Sequence, residues 1–104
     1  MAFTEVQIQQ VWEQGLILKL NNPQEFRKDI FGAWISRDDY GIRALEDGWE
    51  IDYIIPISEG GTNDISNLRP LQWENYVAKA NGQLDYVVTA EGTENIKKRS
   101  YAKV

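Results

Sequence analysis

Hydrophobic and polar residues follow a helical spacing at the start of the chain. Thr4 and Gln7 stand three residues apart, which is the spacing of a capping box at a helix N-terminus. Ile8, Val11 and Trp12 then fall on one face of the helix. The pattern predicts an amphipathic helix that packs against a core and carries no chemistry.

The next stretch is less regular. The apolar run LILKL at 16–20 predicts a short strand. Asn22 and Pro23 are typical of an N-cap and a first helical position, so a second helix is expected to begin there. The segment GAWISRDDYG at 32–41 predicts an irregular or short helical piece.

The second half of the chain alternates more clearly. WEIDYIIPI at 49–57 predicts a strand or one arm of a hairpin, and SEGGTND at 58–64 predicts a loop. PLQWENYVAKANG at 70–82 predicts a helix that stops at its Asn-Gly. QLDYVVTAEGTENIKKRSY at 83–101 predicts two strands joined through AEGT at 90–93. The expected fold class is α+β with a small antiparallel sheet.

Length and composition narrow the class of protein. The 104 residues, with 42% hydrophobic residues and four Trp, predict one folded domain over 1–104. No apolar run approaches the roughly 20 residues that span a bilayer, and the N-terminus lacks the pattern of a signal peptide. The chain has no Cys, so a disulfide framework and a Cys-based zinc site are excluded. A cytoplasmic location is expected.

The charge is acidic and uneven. A net charge of −5 counts against a protein that coats nucleic acid without sequence preference, because such a protein needs many cationic contacts to phosphate. The last ten residues, in contrast, hold Lys97, Lys98, Arg99 and Lys103 and no acid. We interpret this basic segment as a solvated strand end, the alternative being an arm that binds phosphate.

Two carboxylates in the predicted strand at 49–57 are candidates for chemistry. Glu50 and Asp52 lie two residues apart and therefore share one face of a strand. Carboxylate oxygens are ligands that Mg²⁺ prefers. Acidic pairs on an exposed strand face are common, however, so the pair alone indicates no more than a solvated surface.

The residues that surround this pair match a longer sequence pattern. The stretch from Trp49 to Gly82 follows the pattern E-x-D-x-I-x-P-x-S-x-G-G-x₅-N-L-x-P-L, with a Lys later on the helix. It resembles the HNH, or ββα-metal, endonuclease family. The resemblance implies a ββα-metal core, here with an N-terminal helix and a C-terminal β-hairpin added. The matching positions are Glu50, Asp52, Ile54, Pro56, Ser58, Gly60, Gly61, Asn67, Leu68, Pro70, Leu71 and Lys79.

The resemblance implies a role for four positions. Asp52 stands where the family has a metal ligand, and Tyr53 stands where the family has the His that acts as general base. Asn67 takes the position of the Asn that fixes the loop through its side-chain amide. Tyr76 takes the position of the second metal ligand on the helix. If the site is active, the resemblance implies Mg²⁺ or another divalent ion as cofactor.

The two tyrosines depart from the family. A phenol ordinarily titrates near pH 10, so it is protonated at neutral pH and is a poor general base. A neutral phenol is also a poor ligand for a hard ion. Asn75 does not replace Tyr76 without a turn of the helix, since adjacent residues are about 100° apart. Glu50 is expected to support an ion and not to act as the base. The chain contains no His.

Three functions follow from these residues. The one we expect is a catalytically degenerate HNH fold that binds or inhibits a partner, with no cofactor. The partner expected is the basic, nucleic-acid-binding surface of a host complex, as for an anti-CRISPR-like counter-defence protein of a phage. Tyr53 and Tyr76 would supply an aromatic contact surface. The other candidate binding residues are Arg69, Lys79, Lys97, Lys98 and Arg99.

The alternatives keep nucleic acid as the ligand. One is a metal-dependent HNH DNA endonuclease with an atypical site, in which Asp52 and Glu50 hold the ion. The other is DNA binding without cleavage, in which Arg37, Arg69, Lys79 and the basic end of the chain bind phosphate. Such binding would weaken steeply with added salt. The overall acidity of the chain disfavours it.

Overall fold

The computed structural model describes residues 3–100, which form helices and antiparallel hairpins joined by loops. Three two-stranded antiparallel sheets within this range pair residues 26–28 with 34–36, 49–53 with 68–72, and 86–91 with 94–99. The α+β prediction is confirmed, and the order strand, strand, helix over 49–80 is compatible with an HNH-like core. The elements are α1 (Glu5–Trp12), β1 (Phe26–Lys28), β2 (Trp34–Ser36), β3 (Trp49–Tyr53), β4 (Leu68–Gln72), α2 (Trp73–Ala80), β5 (Tyr86–Glu91) and β6 (Glu94–Arg99).

The first helix begins as the capping-box spacing predicts. The Gln7 backbone N–H donates to Thr4 Oγ1 at 3.1 Å, and the Thr4 backbone N–H donates to Gln7 Oε1 at 2.9 Å. The helix buries Ile8, Val11 and Trp12, the three residues of its predicted apolar face. No helix within residues 3–100 has the length and apolarity to cross a bilayer.

Aromatic rings from three segments meet in the core. The rings of Trp12 and Trp49 are tilted against each other with centroids 5.4 Å apart. Tyr40 meets Trp49 edge-on at 4.9 Å. Buried aliphatic residues from α1 and from β2, β3 and β4 complete the cluster. Trp49 thus anchors β3, the strand that carries Asp52, at the centre of the fold.

The strand predicted at 16–20 is wrong. Only Leu16 pairs, in an isolated antiparallel bridge to Lys28, with N···O distances of 2.8 and 3.1 Å. The following residues have no neighbouring strand, and Leu20 is 98% exposed. An apolar run alone does not supply the partner that a strand requires.

The helix predicted to begin at Asn22 is also wrong. The Asn22 side chain accepts a hydrogen bond from the Gln24 backbone N–H at 3.0 Å, so it caps a turn, and β1 begins at Phe26, four residues after Asn22. Buried Arg27 explains the extended course, because its guanidinium donates to the backbone oxygens of Glu13, Gly15 and Pro23. The tertiary contacts of this one side chain override the local helix signal.

The segment 32–41 combines a strand with one turn of 3₁₀-helix. Trp34–Ser36 forms β2, and Arg37–Asp39 forms the turn. The irregular or short helical prediction therefore holds only for the second part. Ile35 is buried in the core, and Trp34 Nε1 donates to the Gly92 carbonyl at 2.8 Å, which fixes β2 against the C-terminal hairpin.

The helix predicted from Pro70 begins later, at Trp73. Residues Leu68–Gln72 form β4, which pairs with β3 in a register that sets Asp52 opposite Arg69 and Ile51 opposite Pro70. The burial of Leu68 and Leu71 favours the strand. Gln72 then caps α2, since its side-chain oxygen accepts from the backbone N–H of Glu74 at 2.9 Å.

The C-terminal hairpin is confirmed. β5 and β6 pair from Tyr86 opposite Arg99 to Glu91 opposite Glu94, and the turn lies at Gly92-Thr93. The predicted end of the second strand at Tyr101, like Lys103 of the basic segment, lies outside the described residues.

A buried carboxylate joins these elements. Asp29 Oδ1 accepts from the backbone N–H groups of Phe31 and Ala33 at 3.0 and 2.9 Å. Asp29 Oδ2 accepts from the Gln72 backbone N–H at 2.9 Å and from Asn75 Nδ2 at 3.0 Å. Burial raises the pKa of the Asp29 carboxyl, and these hydrogen bonds act in the opposite direction. The sequence pattern gave no sign of this group.

Candidate functional site

A cleft of about 560 Å³ lies between the end of β3, the following loop and α2. It brings together four residues that the sequence singled out: Asp52, Tyr53, Tyr76 and Lys79. The strand supplies the first two and the helix the other two. Their convergence follows from the packing of α2 against the β3–β4 hairpin.

Two cations of the protein bind the Asp52 carboxylate. Lys79 Nζ lies 2.8 Å from Oδ1 and 2.9 Å from Oδ2, and Arg69 Nε lies 2.8 Å from Oδ2. The Asp52 side chain is only 7% exposed. Arg69 reaches it as its cross-strand neighbour, and Lys79 reaches it from the last turn of α2. The charge of this buried group is therefore balanced within the chain.

Lys79 also contacts the backbone beyond β3. Its Nζ donates to the Tyr53 carbonyl at 2.6 Å and reaches the Ile54 carbonyl at 3.3 Å. The ammonium thus faces two carboxylate and two carbonyl oxygens. A cation in the last turn of α2 also opposes the negative end of the helix dipole.

Tyr53 is held by both ends of its side chain. Its hydroxyl donates to Asn63 Oδ1 at 2.7 Å. Its ring packs against Phe3, with centroids 6.0 Å apart, and against the core. The side chain at the general-base position therefore links the loop to the core, and its hydroxyl acts as a hydrogen-bond donor to Asn63.

Tyr76 and Glu50 share a different cation. The Arg43 guanidinium lies 5.7 Å from the centroid of the Tyr76 ring and also forms an ion pair with Glu50. Glu50 does not line the cleft. The two carboxylates expected to act together, Glu50 and Asp52, are thus bound by separate basic side chains.

These donors do not fit a divalent ion. A hard cation needs several oxygen ligands with free lone pairs. Both oxygens of Asp52 already accept from Lys79 or Arg69, and an ion placed there would meet the Lys79 ammonium. Between residues 3 and 100, no group of three or more His, Cys, Asp or Glu side chains is placed to hold a metal ion.

Asn75 does not supply the missing ligand. It is fully buried on another face of α2, where Nδ2 donates to Asp29 and to the Val88 carbonyl at 2.8 Å. Its Oδ1 accepts from the Val88 backbone N–H at 2.7 Å. Both polar ends of the amide are therefore used to join α2 to β5.

The loop at residues 54–67, which we call the isoleucine loop, is closed by Asn67. The Asn67 side chain accepts from the Ile55 backbone N–H at 2.8 Å and donates to the carbonyls of Ile55 and Thr62, both at 2.9 Å. Gly61 packs so closely that a Cβ would lie 1.7 Å from the Ile55 carbonyl oxygen. These contacts define one backbone course for the loop.

The isoleucine loop exposes apolar side chains beside the cleft. The exposed members are Ile54 at 43%, Ile55 at 53%, Ile57 at 51% and Ile65 at 37%. The loop contains two acids, Glu59 and Asp64, and no basic residue. Sequence reasoning missed this surface, although four Ile within a segment with loop signals were a sign of it.

The basic residues are not gathered around the cleft. Arg69 and Lys79 bind Asp52, whereas Arg37 donates to Gln9 at 2.9 Å. Lys97 lines a separate cleft of about 380 Å³ between α2 and the C-terminal hairpin. Lys98 and Arg99 lie further along β6, where Lys98 Nζ is 3.3 Å from Glu91 and the Arg99 guanidinium is 5.6 Å from the centroid of the Tyr86 ring. The structure thus separates the cations that the alternative of DNA binding without cleavage would place together on phosphate.

Comparison with known proteins supports the recognition of the family. A family model described as HNH endonuclease matches residues 38–74, which span β3, the isoleucine loop and β4. Searches of curated proteins and of solved structures gave no match. The matched residues begin before Trp49 and cover most of the stretch from Trp49 to Gly82, in which the resemblance was identified.

Proposed function

We propose, from the match of residues 38–74 to the HNH endonuclease family model, that this chain is a binding module built on a nuclease scaffold and is not itself a nuclease. The observation that carries the proposal is the state of Asp52. Its carboxylate is bound by Lys79 and Arg69, where a nuclease of the family would use it for a metal ion.

The other positions of the site support the same conclusion. A general base typically contributes about 10²–10⁴-fold to a rate, and it must accept a proton from water. The Tyr53 hydroxyl is a donor to Asn63, and Tyr76 offers a neutral phenol beside Arg43. Neither side chain supplies the basic nitrogen or the strong ligand that hydrolysis of a phosphodiester requires.

A plasmid-nicking assay tests the loss of catalysis. We expect the unmodified chain to leave supercoiled plasmid intact with Mg²⁺, Mn²⁺ or Ni²⁺, because it lacks both a base and an open ligand site. The matched arm is the double reversion Tyr53→His with Tyr76→Asn. Cutting by that variant alone would locate the loss in these two side chains. Cutting by the unmodified chain that disappears in Asp52→Ala would contradict the proposal.

We further propose that the partner is a protein with a basic, partly apolar surface. The net charge of −5 favours a basic partner, and the isoleucine loop provides the apolar contact. A DNA-binding groove of a host complex has this chemistry, and a phage counter-defence inhibitor is one concrete form of the function. Glu59 and Asp64 would repel the phosphates of DNA itself.

The energetics of the isoleucine loop suit an interface. Full burial of an aliphatic side chain stabilises by about 1.5–3 kcal/mol relative to exposure. Asn67 and Gly61 hold the loop in one course, so little ordering entropy is lost when a partner binds. The four exposed isoleucines, together with Tyr53 and Tyr76 in the adjoining cleft, are the candidate contact residues.

Isoleucine methyl NMR of the full chain tests this surface with defined probes. We expect an amphipathic Lys/Leu peptide to shift the methyl signals of Ile54, Ile55, Ile57 and Ile65. We expect Ile55→Ser to weaken binding by about fivefold or more, since loss of a central apolar contact costs at least about 1 kcal/mol. The matched control is Ile17→Ser, at a residue that is 65% exposed outside the loop.

The two companion probes are an all-Lys peptide of equal charge and a short DNA duplex. Weaker binding of the all-Lys peptide would support the apolar contribution. Equal loss of affinity in Ile55→Ser and Ile17→Ser would contradict it, because binding would then be governed by charge alone. Tighter binding of the duplex at the loop would favour nucleic acid as the ligand.

A further inference from the structure

We infer that the outer edge of β6 at residues 97–99, which we call the open edge, binds an acidic, extended segment of a partner protein as an added strand. None of its residues lines the cleft of Asp52 or belongs to the isoleucine loop. The inference therefore goes beyond the proposed function and does not depend on it.

The hydrogen bonds of β5 identify the backbone groups of β6 that face outward. The Val88 N–H donates to Asn75 Oδ1 at 2.7 Å, and the Val88 carbonyl accepts from Asn75 Nδ2 at 2.8 Å, so both groups point away from β6. Opposite residues in an antiparallel pair either bond to each other or both face away. Lys97 lies opposite Val88, and Arg99 lies two residues further along β6. The N–H and C=O groups of Lys97 and Arg99 therefore face away from β5.

The neighbouring edges of the hairpin are covered. The Asn75 side chain and a backbone carbonyl of the turn between β1 and β2 bind the outer edge of β5. On β6, the Asn95 N–H donates to Glu46 Oε2 at 3.3 Å. Between residues 3 and 100, no group is placed to bind the backbone N–H and C=O of Lys97 and Arg99. The open edge thus offers alternating donors and acceptors to an incoming strand.

The side chains of the open edge favour an acidic strand. Lys98 pairs with Glu91, whereas neither Lys97 nor Arg99 forms an ion pair in the part of the chain that the structure describes. Lys97 and Arg99 are exposed and lie two residues apart, so they share one face of the hairpin. Two acids at alternate positions of an added strand would lie opposite them, and opposite charges across strands are stabilising.

Other occupants suit the open edge less well. Antiparallel pairing with a second copy about Lys98 would set Lys97 opposite the same basic segment, and like charges across strands are destabilising. Phosphates of nucleic acid would attract the cations, but they cannot donate to the outward carbonyls. A peptide backbone supplies both the donors and the acceptors.

The cleft of about 380 Å³ beside the open edge restricts where the acids of the peptide lie. Lys97 lines it together with the rings of Trp73 and Tyr86 and the carboxylates of Glu74 and Asp85. An acidic side chain within the cleft would meet those two carboxylates, whereas an apolar one would contact the rings. The segment expected to bind therefore carries its acids along the edge of β6.

Backbone NMR of the full chain tests the inference with a capped octapeptide that alternates Glu and Thr. The amide signals of Lys97 and Arg99 should shift and their hydrogen exchange should slow, because both N–H groups gain acceptors. The Val88 amide, which is bound to Asn75, should keep its exchange rate. A peptide with Gln in place of Glu should bind roughly fivefold more weakly, since two cross-strand charge pairs are lost.

Backbone N-methylation of the peptide separates an added strand from attraction by charge alone. Methyl groups on the amides of all Glu, or on those of all Thr, block opposite edges of the peptide and keep its charge. Only one edge pairs with β6, so one methylated peptide should bind at least about fivefold more weakly than the other. Equal affinities of the two methylated peptides would overturn the inference.

The variant of the chain that tests the charge is Lys97→Ala, which should weaken binding of the Glu peptide about threefold. Lys19→Ala is the matched control, because Lys19 is exposed outside the hairpin, and it should leave the affinity unchanged. Equal effects of the two substitutions would contradict the assignment to the open edge.

Three further results would overturn the inference. They are unchanged Lys97 and Arg99 amides at millimolar peptide, shifts of these amides with the concentration of the chain alone, and tighter binding of a short DNA duplex at the same amides. The second result would assign the open edge to another copy, and the third to nucleic acid. None of these readouts involves cleavage or the isoleucine loop, so failure here is distinguishable from failure of the proposed function.

Discussion

Replacement of Asp29 with Asn should lower the free energy of unfolding by about 2–6 kcal/mol, because two buried N–H donors lose their acceptor and each unpaired donor costs about 1–3 kcal/mol. Four N–H groups donate to this carboxylate, two to each oxygen. An Asn can satisfy only the pair on one oxygen. Its NH₂ would then face the other two donors, the Gln72 backbone and Asn75, and leave both without an acceptor.

Chemical denaturation of the full chain measures this change. Asp38→Asn is the matched control, because Asp38 is exposed, and it should alter stability by no more than about 0.5 kcal/mol. A loss below about 1 kcal/mol in Asp29→Asn would contradict the hydrogen-bond network around the carboxylate.

Replacement of Asn67 with Ala should cost about 2–3 kcal/mol, with the effect concentrated in the isoleucine loop. Three hydrogen bonds to Ile55 and Thr62 are lost, and each typically contributes about 1 kcal/mol. Hydrogen exchange should accelerate at the Ile55 amide, which donates to Asn67 Oδ1. The measurement is denaturation together with amide exchange resolved by residue.

Asn63→Ala is the matched control for Asn67→Ala. Asn63 is an exposed amide in the same loop, and it accepts the Tyr53 hydroxyl. Its loss should cost about 1 kcal/mol or less. Equal effects of the two substitutions would show that Asn67 does not organise the loop more than any other polar contact does.

Local signals predicted several elements well. The capping box placed α1, and the two alternating runs around AEGT placed the C-terminal hairpin, because each signal lies within a few residues of the structure that it specifies. The segment 49–82 placed the strand, loop and helix that form the cleft, through a resemblance that covers many fixed letters at constant spacing.

Contacts between residues that are far apart in the sequence were not predicted. Asp29 meets Asn75 across 46 positions of sequence, and Lys79 meets Asp52 across 27. No periodicity records such pairs. Pro70 is typical of a first helical turn, yet pairing with β3 and the burial of Leu71 keep it in a strand. In each case a tertiary contact outweighs a local preference worth a fraction of a kcal/mol or so.

The buried Asp29 has a consequence for how the chain unfolds. A two-stranded hairpin is marginally stable alone, and this fold is built from three of them within residues 3–100. Asp29 binds the turn between β1 and β2, the end of β4 and the Asn75 side chain, which in turn binds β5. When one hairpin opens, hydrogen bonds that bind the Asp29 carboxylate or its partner Asn75 must therefore break, and these also hold the other two hairpins. The carboxylate links three weak units, and we therefore expect them to melt in one cooperative transition and not one after another.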